Sequence, residues 1–285
     1  MLFRSRLELT LKPLEKECTI PINYQYPLSG AIYQILANAS PDYASWLHNQ
    51  GYKTLQGKNL KLFVFSKLFI EDMEAKGNKL IIHNMKPCKL YISSPILEGF
   101  IQHLIMGIFN KKHITIASHY AIGNFQITDI IPLPKPEFSS CNGISKKSRF
   151  LCLSPIVVSN KGKTDILSKV PHYIRPEEPE FSEAIYKNLL KKFVLLYGHT
   201  PEKKELSFSW DDVYIKRHGG YSSRKISKLV TIQEGNQKRE TQIKSFISPF
   251  YLSGSTDLIY TAYECGIGEK NSLGFGMIQE ENQQH

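Results

Sequence analysis

The 285-residue chain is poor in cysteine: five are present, and no two are spaced as C-x-x-C. An odd number without paired spacing argues against a disulfide framework and against a zinc site, and fits reduced thiols in a cytosolic protein. Nowhere do roughly eighteen apolar residues run together, so no membrane-spanning helix is expected. The N-terminal stretch "MLFRSRLELT" interleaves charge with apolar residues and lacks a signal-peptide core, so no secretory leader is expected. No H-E-x-x-H and no G-x-S-x-G occur, which removes the zinc-peptidase and serine-hydrolase signatures. A dinucleotide fingerprint fails because Asn271 stands three positions after Gly268, and a P-loop fails because Phe275 follows Gly274.

Acidic residues are also in short supply. Lys and Arg number 36 against 26 Asp and Glu, for a net charge of +10 and a pI near 9.2. The excess is spread evenly, with 15 basic and 10 acidic residues in positions 1–145 and 21 against 16 in positions 146–285. It is densest from Tyr214 to Lys244, with eight basic residues and two acidic ones. Such a balance favours a polyanionic partner. No basic amphipathic helix points to a membrane surface instead. With 41% hydrophobic residues the chain can bury a core, and its length suits one large domain or two of ordinary size.

Hydrophobic periodicity repeats one order of elements twice. Phe3, Ser5, Leu7, Leu9 and Leu11 alternate with Arg4, Arg6, Glu8 and Thr10, the pattern of a strand buried on one face. Leu28, Ile32, Ile35 and Leu36 recur at helical spacing. Ser40-Pro41 then reads as an N-cap with proline at the first helical position, opening a short helix to about Gln50 that Gly51 stops. "KLFVFSKLFI" and "KLYISS" read as strands, "PILEGFIQHLIMGIFN" as an amphipathic helix and "HITIASHYAIGNFQITDIIPL" as one or two closing strands. "PLPKPEFSSCNGISKKS" is the best linker candidate. Beyond it, "RFLCLSPIVV" reads as a strand, and "FSEAIYKNLLKKFVLLYG" as a helix stopped by Gly198. "LSFSWDDVYIKR" and "KSFISPFYLSG" read as strands, "STDLIYTAYECG" as a short helix and "GFGMIQ" as a last strand. The expected fold class is α+β, with two tandem ferredoxin-like (βαββαβ, RRM-like) domains at residues 1–134 and 149–285 and a linker at 135–148.

The stretch "GIGEKNSLGFG" falls between the second helix and last strand of the second unit. Its glycines permit positive φ and close backbone approach, and successive N–H groups in such a loop can hold a phosphate. A glycine-rich turn with no ligand would look the same; the length of the connection favours a binding loop. "KRHGGYSSRK", at residues 216–225, reads as a charged hairpin tip suited to RNA backbone contact through Lys216, Arg217, Arg224 and Lys225, with Tyr221 free to stack on a base. Asp211-Asp212 reads as a solvated pair rather than a cation site.

At "YECGIGEKNSLGFGMI" the chain resembles the RAMP superfamily of CRISPR systems. Together with "INYQYPLSGAIYQILANASPDYASWLHNQGY" and "KLFVFSKL", it resembles the CRISPR-associated endoribonucleases of the sixth Cas family. The resemblance covers most of the chain as an order of elements and is specific at Pro21–Tyr52, Lys61–Leu68 and Tyr263–Ile278. It implies metal-independent cleavage of CRISPR repeat transcripts by ribose 2′-hydroxyl attack, leaving a 2′,3′-cyclic phosphate and a 5′-hydroxyl. By position it implies Tyr33, His48 and Lys61 as catalytic residues. It also implies RNA contact from Gly266, Gly268, Lys270, Asn271, Ser272, Gly274 and Gly276. No metal or cofactor is implied; implied partners are CRISPR repeat RNA, interference-complex subunits and a second copy of the chain.

The chemistry is consistent with those residues. Cleavage without a metal needs a base for the 2′-hydroxyl, a proton donor for the 5′-oxygen and positive charge near the phosphorane. A histidine in the last turn of a helix has its imidazolium favoured by the helix dipole. Lys61 would supply the charge and Tyr33 a positioning hydroxyl. Lys53 and Lys58 compete with Lys61, and eight other histidines compete with His48. A non-cleaving RNA-binding subunit of an effector complex is the alternative, since the glycine loop and the charge serve it equally. A ferredoxin-like nucleotide enzyme has no motif in its favour.

Overall fold

The computed structural model describes residues 5–164, 171–233 and 240–281. The chain divides into two compact units, one of residues up to Lys135 together with Ser272–Gly274, the other from Pro136 to Asn271 and from Phe275 onward.

In the first unit, the strand Arg6–Pro13 is central. Its antiparallel neighbours are Cys88–Ser93 and Ile122–Pro132, and Val64–Phe65 and His113–Ala117 form the edges. With α1 (Gln25–Ala39) and α3 (Gln102–Asn110) as the crossover helices, this is the ferredoxin-like order with one added edge strand. Leu28, Ile32, Ile35 and Leu36 of α1 are buried with Leu104 and Ile108 of α3, as their spacing predicts. The two helices approach to backbone contact at Gly107, where a Cβ would collide with the carbonyl of Ile35. The helix α2 (Pro41–Asn49) starts as expected: Ser40 Oγ accepts from the Tyr43 N–H at 3.2 Å, with Pro41 in the first turn. Gly51, at φ 65°, follows its end.

The second unit repeats the order. Ile144–Cys152 is flanked by Ile278–Glu280 and Phe250–Ser255, and Leu206–Trp210 lies beyond the latter. The crossover helices are α4 (Glu180–Tyr197), stopped by Gly198 in the left-handed region, and α6 (Thr256–Cys265). Both units therefore have the tandem ferredoxin-like fold.

Several local expectations are corrected. Arg6 and Glu8, assigned to an exposed face, are 2% and 7% exposed, and polar side chains of the next strand close over Glu8. Lys89 donates to Glu8 at 2.8 Å, and the Tyr91 hydroxyl also bonds Glu8. "KLFVFSKLFI" yields only the two-residue strand Val64–Phe65, and α3 is preceded by a π-helical turn over Leu97–Ile101. The segment "DDVYIKR" is not strand: Asp211 accepts from the Tyr214 N–H at 2.9 Å and caps α5 (Asp212–Arg217). Asp211 is accordingly buried and paired with Arg149 at 2.9 Å, not solvated. Residues 216–225 connect α5 to the strand Ser227–Gln233 and are no hairpin tip. The segment read as a linker carries the strand Ser140–Cys141 and the start of Ile144–Cys152, with Phe138 in the core. Added to the doubled motif are the hairpins Ser227–Gln233 with Glu240–Phe246 and Ser159–Thr164 with Pro171–Tyr173, and a small sheet of Cys18–Pro21, Lys79–Ile82 and Met73–Lys76. Among the described residues no helix is long and apolar enough to cross a membrane.

Candidate active site and nucleic-acid interface

Tyr33, His48 and Lys61 meet at the C-terminal end of α2. The edge of one ring meets the face of the other between Tyr33 and His48, with centroids 5.0 Å apart and planes at 83°. Phe63 supports Tyr33 from a second direction at 5.7 Å, and Phe100 stacks on Phe63 at 4.6 Å. Burial pushes the Tyr33 phenol well above its ordinary pKa, so it stays a neutral hydroxyl.

Lys61 Nζ donates to the carbonyl of His48 at 2.6 Å, neutralising one of the unpaired carbonyls at the helix end. Burial lowers its pKa. The lysine is aimed by its neighbours. Gly51 passes so close that a Cβ would sit 2.7 Å from the Leu60 carbonyl and 3.3 Å from Lys61 Nζ. Leu62 is held at φ 53° while Ser94 Oγ donates to its carbonyl at 2.8 Å. Lys53 and Lys58, the competing lysines, are exposed on the hairpin Tyr52–Lys53 with Asn59–Leu60 and its turn.

The His48 ring is exposed. Its Nδ1 lies 3.1 Å from Asn49 Oδ1, and the Asn49 amide nitrogen donates to Ser45 Oγ at 3.3 Å. With the Asn49 oxygen toward the imidazole, the contact suits the tautomer that carries its hydrogen on Nδ1. Asn49 was not singled out from the sequence. Nor was the stack of Tyr43 on His103, 4.7 Å between centroids, in the same core.

The glycine-rich loop is a folded, largely buried element. Gly266, Gly268, Gly274 and Gly276 all have positive φ, and so does Lys270 at 59°. A Cβ at Gly268 would strike the Val157 carbonyl and one at Gly276 the Ile267 carbonyl. Ile267, Phe275 and Met277 are fully buried, and the Ile267, Glu269 and Gly276 N–H groups donate to Gly276, Val157 and Pro155 carbonyls. Asn271 Nδ2 donates to the carbonyls of Ile267 and Phe275 at 3.2 and 2.9 Å. Ser272–Gly274 belong to the first unit, the other loop residues to the second. Lys192 of α4, which the sequence reading passed over, donates from Nζ to the carbonyls of Gly266 and Gly268 and to Asn271 Oδ1. Its signal was present: it lies three residues beyond Leu189 on the apolar stripe of α4.

Lys216, Arg217, Arg224 and Lys225 are all exposed, the first two in the last turn of α5. Tyr221 is partly buried against the core of the second unit, and its hydroxyl donates to Asp212 at 2.5 Å.

A family model described as "CRISPR-associated protein Cas6, N-terminal" matches residues 19–126, and one described as "CRISPR associated protein Cas6, C-terminal" matches residues 133–280. The chain is similar to CRISPR-associated endoribonuclease Cas6 1 of Methanocaldococcus jannaschii, at 29% identity over 98% of this chain and 95% of that protein. It is also similar to CRISPR-associated endoribonuclease Cas6 of Pyrococcus furiosus, at 28% identity over 97% and 90%. Among solved structures, a Cas6-related gene product from Pyrococcus furiosus superposes with a TM-score of 0.74 at 26% identity, over 99% of this chain and 100% of the other. The chain belongs to the Cas6 family of CRISPR-associated proteins.

Proposed function

We propose that the protein is an endoribonuclease that cleaves CRISPR repeat transcripts without a metal, through attack of a ribose 2′-hydroxyl on the adjacent phosphate. The observation that carries this reading is the convergence on one helix end of an exposed imidazole, a neutral phenol beside it and an ammonium on its own carbonyl. Protonated Nε2 of His48 gives its proton to the departing 5′-oxygen as the P–O5′ bond breaks and the 2′-oxygen bonds to phosphorus. The 2′-hydroxyl gives its proton to solvent and the 5′-oxygen takes one from the imidazole, which recovers by exchange with solvent, so no water is consumed. Lys61 offsets charge accumulating on the phosphorane, and the Tyr33 hydroxyl holds a phosphate or ribose oxygen. The names of the two curated relatives, both endoribonucleases, support the reading. Exposed Lys216, Arg217, Arg224 and Lys225 and the glycine loop serve RNA binding.

The test is incubation of 5′-labelled repeat RNA in EDTA with the wild type and with His48→Ala. Cleavage at one site by the wild type alone, leaving a cyclic phosphate, is the expected result. Binding without cleavage by both proteins would make this an RNA holder for an effector complex.

A further inference from the structure

The buried lysine of α4 has no part in the chemistry above. Lys192 is 3% exposed, yet its ammonium meets three oxygens: the carbonyls of Gly266 and Gly268 at 2.7 and 2.9 Å, and Asn271 Oδ1 at 2.7 Å. An ammonium has three donors, so this set saturates it. The same Asn271 turns its amide nitrogen to the Ile267 and Phe275 carbonyls, so both arms of the loop are tied through one side chain to one cation. Nothing apolar could replace that knot, because the carbonyls would be left buried and unpaired.

We propose that Lys192 is the positioning residue of the glycine-rich loop, and that the loop's grip on RNA depends on this amine being charged. The inference rests on the reading of the loop as an RNA contact. Deprotonation leaves two N–H donors for three acceptors, with a lone pair turned toward an oxygen, so one strand of the knot is released. Burial lowers the Lys192 pKa from 10.5 to about 8, within reach of mildly alkaline solution. The titratable groups around it are Cys265, with Glu264 beside it at the end of α6, and Glu269 in the loop. Ser159 Oγ donates to Glu269 at 2.6 Å, and burial raises the Cys265 thiol to about 12, above the range in which Lys192 loses its proton. The strand Leu206–Trp210, which also packs on α4, carries no titratable side chain.

Affinity and stability should then move in opposite directions with pH. Between about 8 and 10.5 the unfolded chain holds the Lys192 proton and the folded chain does not, so this group's contribution to stability rises with pH. Loop-dependent affinity should fall over the same interval.

The experiment compares wild type with Lys192→Met, which keeps length and apolar stem. It uses hydrogen–deuterium exchange over residues 266–276 and binding of a repeat RNA carrying a 2′-deoxyribose at the scissile position. The expected result is faster exchange in the variant and binding weaker by about tenfold, the scale of one charge-assisted hydrogen bond. In the wild type, affinity should decline toward that of the variant above pH 8, while the wild type's advantage in melting temperature widens. Unchanged exchange in the variant, or wild-type affinity flat across that interval with the loop exchange also flat, would overturn the positioning role. Raised exchange with unchanged RNA affinity would leave that role standing and overturn the assignment of the loop to RNA. Should the variant fail to fold, the wild-type pH series decides alone.

Discussion

Lys61 reaches back thirteen residues to place its Nζ 2.6 Å from the carbonyl of His48. One ammonium thus both closes the end of α2 and is tied to the residue whose imidazole the helix presents. Cleavage and helix-end stability should therefore share a residue.

Replacing Lys61 by Met removes both contributions. Single-turnover cleavage should fall by about 10²-fold, with roughly 0.3–1 kcal/mol lost at the exposed helix end. Lys61→Arg should recover part of the rate. An unchanged rate in Lys61→Met would move the phosphate charge to Lys53 or Lys58, to be replaced in turn.

Tyr33→Phe keeps the ring between His48 and Phe63 and deletes only the hydroxyl. Melting temperature should stay within about 2 °C, while kcat falls about tenfold or more with RNA affinity little changed. A rate equal to wild type would reduce Tyr33 to a packing residue.

Asn49 Oδ1 lies 3.1 Å from His48 Nδ1. In Asn49→Asp the new carboxylate favours the imidazolium, so the group stays protonated to higher pH. If the imidazole acts as the acid, the alkaline limb of the pH–rate profile should shift upward. Asn49→Leu should lower the rate without that shift. A profile unmoved by Asn49→Asp would exclude His48 as the titrating acid.

The glycines of the loop differ from a glycine that only turns. At Gly276 a Cβ would meet the Ile267 carbonyl, whereas at Gly220, φ 82°, nothing lies within 4 Å. Gly220→Ala should cost about 1 kcal/mol of backbone strain, and Gly276→Ala substantially more because the loop must shift as well. Urea denaturation of the two variants makes the comparison; equal losses would mean that the loop yields freely.

Where local chemistry dominated, the sequence was legible. Ser40-Pro41 fixed the start of α2 because a hydroxyl and a preset φ act within one turn, and Gly198 ended α4 for an equally local reason. The βαββαβ order followed from apolar spacing alone. "DDVYIKR" misled because its alternation suits a strand, while the Asp211 cap that makes it helix depends on one side-chain geometry. Burial of Arg6 and Glu8 escaped notice since alternation records which residues could face water, not which neighbours will cover them.

By itself, then, the sequence determined the doubled fold, the basic balance and, through resemblance, the residues worth watching. Only the tertiary structure decided that Tyr33, His48 and Lys61 converge, since residues twenty-eight positions apart meet through the folding of α1, α2 and the hairpin after them. It also decided that the glycine loop is tied from within by Lys192. A lysine on an apolar stripe reads as an exception in sequence. In the fold its ammonium reaches two carbonyls and an amide oxygen of the loop, and burying its charge is tolerated because three oxygens surround it.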